Sequence, residues 1–283
     1  MSEYQYFEFV AVDRPLTGEE MAQLRQLSTR AEITPTSFTN TYHWGNFGGD
    51  PLRMVERYFD AHLYEANWGT RQLVLRLPER LLDADTAHLY TADEISTSWT
   101  SGEHVILDFV NEDQDDEWAE DSENWLPSII SARADLAAGD LRLLYLGWLL
   151  AAQSGALEDD DYEPPVPAGL GQLNGPLQRF ADFLRLDPDL ITVAAGRSAP
   201  RALGGPSATV LRTWVSGLPR EDKDEALLRL LDGEQALVVP ELLRRFHEDS
   251  GTVPVCDDGT EPRTVGELLY AASTLHLHDD GEG

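Results

Sequence analysis

The chain has 283 residues and a formal charge of −30, set by 51 carboxylates against 21 lysines and arginines. That balance repels phosphate backbones and anionic membrane surfaces and favours a basic protein partner or a cation, while an apolar fraction of 42% with seven Trp and nine Tyr excludes a disordered chain. Lys223 is the one lysine and sits among four acids, which excludes a phosphate-binding Gly-Lys-Ser/Thr loop and an activated Schiff-base lysine.

Residues 4–12 are aromatic and β-branched and predict a first strand, ended by Asp13-Arg14-Pro15. Thr17 as N-cap, with Glu19 and Glu20 behind it and Met21, Leu24 and Leu27 on one stripe, predicts an amphipathic helix. Residues 32–44 read as a second strand with Pro35 near its start. A glycine-rich loop then leads to Asp50-Pro51, a helix start with Asp as cap and Pro in the first turn. Two hairpins follow, 61–67 with 72–77 across Trp68-Gly69-Thr70, and 95–99 with 104–110 around Gly102. Residues 81–87 fit either helix or strand. The order predicts an α+β sheet domain over residues 1–110.

Residues 111–124 carry eight acids and no base and read as an acidic linker. Asn111, Asp113 and Asp115 alternate as in a calcium loop, but Asp116 stands where the turn glycine belongs and Ser122 where the closing glutamate belongs, so the match fails. Residues 125–155 are the longest apolar stretch. Gly139-Asp140 divides it into a helical hairpin, and residues 141–152, with Arg142 as their only charge, are too short for the roughly 20 residues of a bilayer crossing. A central core helix is expected there, with Trp148 buried and Gly147 allowing close packing. Beyond a proline-stiffened connector at 164–167, short amphipathic helices are expected to about residue 274, Pro240 kinking or splitting one of them. The helical domain is thus drawn over 125–275 and a flexible tail over 276–283.

Three segments, residues 30–38, Tyr58-Phe59-Asp60-Ala61-His62 and residues 139–149, resemble an uncharacterised family of bacterial, actinobacterial-type proteins. The family has no assigned activity, so the resemblance implies no role for any residue.

Candidate site residues are few. Asp60 and His62, with His43, are the side chains from which an acid/base pair or two metal ligands could be built, but no His-Glu-x-x-His or Gly-x-Ser-x-Gly motif anchors a mechanism. Twelve of the twenty-five aromatics fall in the first seventy residues, and Tyr42, Trp44, Phe47 and Trp68 lie in loops or turns where they could form a recognition surface. Cys256 is the only cysteine, which excludes an intrachain disulfide and a cysteine-rich metal site, and its neighbours Asp257 and Asp258 disfavour a thiolate. His276, His278, Asp279 and Asp280 are ligand types on an expected tail and are assigned no metal. No cofactor is expected. With no basic n-region or apolar h-region at the N-terminus, the location expected is the cytoplasm. The leading functional expectation is an acidic protein-binding or adaptor protein for a basic partner, with direct nucleic-acid or membrane binding disfavoured. The alternative is an enzyme, hydrolase-like, with a site between the sheet and helical domains.

Overall fold

The first part of the chain forms seven strands: β1 (Gln5–Val10), β2 (Glu32–Ile33), β3 (Ser37–Tyr42), β4 (Ala61–Ala66), β5 (Thr70–Pro78), β6 (Ser96–Ser101) and β7 (His104–Glu112). In this computed structural model, which describes residues 4–45, 47–92, 94–112, 125–201, 206–251 and 262–279, with side chains up to 275, they form one antiparallel sheet in the order β2-β3-β1-β4-β5-β7-β6. The architecture is α+β, as the order of predicted elements implies. Three helices lie among the strands: α1 (Gly18–Leu27), α2 (Pro51–Arg57) and α3 (Ala84–His88). Local signals account for the starts of the first two. Thr17 Oγ1 accepts from Glu20 N and the Glu20 carboxylate accepts from Thr17 N, a reciprocal cap, while Asp50 accepts from Arg53 N ahead of Pro51.

The two sheet faces bury different sets. Phe7, Phe9, Phe38, His62, Val74 and Ile106 lie with Met54, Val55 and Phe59 in a smaller core on the face that α1 and α2 cover. Tyr6, Leu63, Leu73, Leu75, Leu107 and Phe109 face the other way, into a larger core shared with the helices that follow. Those are α4 (Trp125–Ile129), α5 (Ser131–Ala137), α6 (Arg142–Ser154), α7 (Gly175–Phe183), α8 (Pro188–Ala195), α9 (Ala208–Gly217), α10 (Arg220–Leu231), α11 (Gln235–Asp249) and α12 (Val265–Asp279).

The central position of α6 is as expected: Leu143 through Leu150 are all buried, Gly147 and Trp148 included. Gly147 meets the sheet directly. A Cβ built there would lie 2.2 Å from the Phe109 ring on β7 and 3.1 Å from Ser96 Oγ on β6, so the glycine lets the helix backbone rest on an aromatic ring. Arg142, the first residue of α6, pairs with Asp140 at 2.7 Å and donates to Gly169 O at 3.1 Å. Its charge is therefore compatible with an otherwise apolar helix.

Several expected boundaries differ. The second strand is two, because Thr34 N bonds Ser37 O and closes a turn around Pro35, whose nitrogen cannot join a ladder. The first arm of the central hairpin is also two helices, divided at Ile130. α11 runs unbroken through Pro240, which is buried, as are Val238 and Phe246 of the same helix. α12 continues to Asp279, four residues into the expected tail. Most of the acidic linker, with Asp113, Asp115, Asp116 and Ser122, lies outside the described residues, as do Cys256, Asp280 and the side chains of His276, His278 and Asp279. Among the described residues no helix is long and apolar enough to cross a membrane.

Candidate interaction surface

Asp60, His62 and His43 go to three separate environments. Asp60 Oδ2 accepts from Val12 N at 2.7 Å and Asp13 N at 2.9 Å, and Oδ1 pairs with Arg76 at 2.7 Å. Arg133 of α5 completes the cluster, 2.8 Å from Asp13 and 4.0 Å from Asp60. Burial opposes ionisation of Asp60, yet Arg133 and Arg76 outweigh it and hold the carboxyl below its usual range. This carboxylate fastens the β1–α1 connection and β5 to α5.

His62 is fully buried, its ring stacked 4.0 Å from that of Phe9. Its Nδ1 donates to Glu8 O at 2.9 Å, and Nε2 has no partner among the described residues. His43 is exposed beside the Tyr4 ring. Because His62 pairs with Phe9 and His43 follows the residue paired with Gln5, the two histidines are separated by five positions, about 16 Å, along the strands, and lie on opposite sides of β1. The structure does not bring the three together.

Burial pushes the His62 imidazole down to about 4, against the pull of the Glu8 hydrogen bond. The unfolded chain binds this proton near pH 6.5 and the folded chain only near pH 4, so acidification through that window should cost about 3 kcal/mol of stability. Asp108 on β7 works in the opposite sense. Gln72 Nε2 donates to both its oxygens, at 2.8 and 3.0 Å, but burial still pushes the carboxyl up to about 6, so the folded chain protonates first and gains stability as the pH falls from 6 towards 4. Urea midpoints of wild type and His62→Leu at pH 7 and pH 4.5 separate the two. Wild type should lose about 2 to 3 kcal/mol relative to the variant at the lower pH, and an equal pH response in both would refute a buried neutral histidine. Asp108 was not among the sequence candidates, although a carboxylate inside the apolar run 105–110 is a visible signal.

Of the four aromatics expected at a recognition surface, two are core residues. β3 alternates, and its parity places Tyr42 inward with Phe38 and Asn40, its hydroxyl accepting from Asn40 Nδ2 at 2.8 Å. Phe47 folds back from its loop against Phe7 at 5.1 Å and Phe38 at 5.9 Å. Trp44 and Trp68 remain outside, 70% and 42% exposed. They share one end of the sheet, since each lies two residues beyond a partner of Gln5, on β3 and β4 respectively.

A larger apolar surface lies on α9–α11, where sequence reading placed no site. Here α9 and α10 bury no residue completely. Trp214 of α9 packs on Phe246 of α11 and donates to Asp249 at 2.8 Å, while Arg229 and Arg245 tie α10 to α11 through Glu241 and Asp222. α11 in turn docks on the main body through His247, which bonds Ala138 O, and Arg244, which donates to Arg80 O. With its inner side so engaged, α10 presents Leu227, Leu228 and Leu231 to solvent, 59%, 63% and 84% exposed, on one face by their i, i+3 and i, i+4 spacing. Exposed Glu221, Glu225 and Asp232 flank them on the same helix and at its end. The result is a leucine stripe with carboxylates at both ends.

No family model, curated protein or solved structure matches the chain. Among the described residues no group of three or more His, Cys, Asp or Glu is placed to hold a metal ion.

Proposed function

We propose that the protein is a cytoplasmic, non-catalytic acidic binding or adaptor protein that recognises a basic partner, and that the α10 stripe is where it does so. The observation that supports this reading is the exposure of three adjacent leucines between carboxylates, on a helix whose other side is already packed. Soluble chains rarely leave such a patch uncovered unless it binds something. The fitting occupant is an amphipathic helix with apolar anchors at i and i+3 or i+4 and Lys or Arg on its flanks, whose cations meet Glu221, Glu225 and Asp232. In this reading residues 1–110 form a sheet domain and residues 125–275 a helical domain whose far end carries the stripe. The enzyme alternative has no assembled residues behind it, since His43, Asp60 and His62 stand apart.

Fluorescence anisotropy with a labelled amphipathic Leu/Lys helix, and with the same peptide carrying Glu for Lys, tests the reading. The lysine peptide should bind and weaken as salt rises from 50 to 300 mM, through roughly the range in which screening takes hold. Leu227→Ser, Leu228→Ser and Leu231→Ser together should weaken it by roughly tenfold or more without altering the circular dichroism, because these side chains are exposed. Equal binding of the acidic peptide, or full binding by the triple variant, would sink the proposal.

A further inference from the structure

β6 is the last strand of the sheet, and among the described residues no strand pairs with its outer edge beyond Ser96. Ser96 exchanges backbone hydrogen bonds with Ala92, its O accepting at 2.7 Å and its N–H donating at 3.2 Å, and this sets the direction of every group along the strand. Ser96, Ser98 and Thr100 turn N–H and C=O away from β7; Thr97, Trp99 and Ser101 turn theirs towards it. Among the described residues nothing bonds the outward backbone groups of Ser98 or Thr100. Natural edges are usually guarded by a charge, a proline or a bulge. This one reads Ser-Thr-Ser-Trp-Thr-Ser, uncharged in a chain of which 25% is charged.

Beside the strand, on the sheet face that carries Trp99, a groove of about 610 Å³ runs between β6 and α2. Trp99 and Ser101 line one side, Leu52, Arg53 and Arg57 the other. The acids in the groove are engaged: Asp50 caps α2 and lies 3.4 Å from Arg53, and Glu56 accepts from Trp99 Nε1 at 3.1 Å. Arg57 has no carboxylate within ion-pair distance among the described residues, and its guanidinium lies 5.9 Å from the centre of the Tyr58 ring. In a chain with 51 acids and 21 bases, an arginine without a neutralising partner among the described residues is a cation open to an acidic ligand.

We propose that the β6 edge and the α2 groove together bind an extended peptide segment bearing acidic side chains at alternate positions, added to the sheet as an eighth strand. Its backbone bonds the open groups of Ser98 and Thr100, and every second side chain points over the groove. The spacing agrees. Alternate residues of a strand are about 6.8 Å apart, and Arg53 and Arg57, four positions apart on a helix, are separated by a rise of about 6 Å. Arg57 can therefore fork one carboxylate of the segment, and exposed Arg53 can exchange its 3.4 Å contact with Asp50 for the next. The site shares no residue with the α10 stripe and takes a partner of opposite charge, so either can fail without the other.

Calorimetry of the full chain with acetyl-Thr-Glu-Val-Glu-Thr-amide tests it. Binding should weaken roughly tenfold or more when Gln replaces both Glu in the peptide or when Arg57→Glu is made in the protein. N-methylation of the central valine should abolish it, as should Thr100→Pro, which removes only an outward N–H and so leaves the β7 ladder intact. Circular dichroism confirms that each variant is folded. No heat at 1 mM peptide, or binding that neither Arg57→Glu nor Thr100→Pro changes, would overturn the site. A wild-type dimer in sedimentation that Thr100→Pro converts to monomer would give the edge to a second copy of the chain and overturn it too.

Discussion

Replacing Trp148 by Ala should lower the free energy of unfolding by roughly 3 to 5 kcal/mol, a large part of the ~5 to 15 kcal/mol of an ordinary domain. The indole is buried in the core shared by sheet and helices, with its ring 5.8 Å from that of Tyr145 one turn earlier. Its loss leaves a void that the surroundings are poorly able to fill. On one side Gly147 already sits on Phe109 at closest approach, so α6 cannot move further towards the sheet. On the other, Tyr145 is held by its hydroxyl bond to Glu163. A urea titration of purified Trp148→Ala should show an earlier midpoint with a similar slope. An unchanged midpoint would mean that the indole is in water and that α6 is a surface helix.

Arg263→Ala should cost a comparable 3 to 5 kcal/mol, by a different route. Glu163 is buried in the connector before α7, and Arg263 grips both its oxygens, at 2.6 and 3.1 Å, while bonding Val193 O at 3.4 Å. Tyr145 donates to the same carboxylate, and the two chain segments also pair through Glu163 N and Arg263 O at 2.8 Å. Removing the guanidinium leaves a buried charge whose remaining cation, Arg197, is 3.9 Å away and partly in solvent. The cost belongs to the orphaned acid, so it should be relieved when the acid goes as well. Arg263→Met with Glu163→Leu and Tyr145→Phe should recover most of the lost stability. If the triple variant is no more stable than Arg263→Ala, the cluster does more than neutralise itself.

What could be read from the sequence was local. Thr17 with Glu20, and Asp50 with Pro51, announce helix starts because every partner in the cap lies within three or four residues, and the β4–β5 and β6–β7 hairpins are announced by their turns for the same reason. Burial of residues 143–150 follows from the shortage of charge there. Partners distant in sequence were not legible. Gly147 reads as a close-packing residue, but that it packs on Phe109 depends on how α6 crosses β7. Asp60 and His62 read as candidate catalytic groups because their types permit it; Arg133, Arg76 and Phe9, which commit them to structural roles, lie far from them in the chain. Tyr42 was placed by a loop when strand parity puts it inside. The α10 leucines and the open β6 edge were missed because exposure is a property of what the rest of the chain fails to cover.

The position of β1 bears on how the protein is made. It is the first of the seven strands to be synthesised, yet it lies between β3 and β4, so its two edges are not both satisfied until residues 37–66 have followed. The sheet is complete with β7 at Glu112, but α6, the central helix over β6 and β7 on its larger apolar face, ends only at Ser154, about 40 residues later. At a synthesis rate of roughly 5 to 20 residues per second, the β6 and β7 part of that face stays uncovered by α6 for a few seconds on every nascent chain. Holding chaperones bind exposed apolar surface of this kind, and stalling translation between residues 112 and 154 should leave an aggregation-prone intermediate whose solubility returns when α6 emerges.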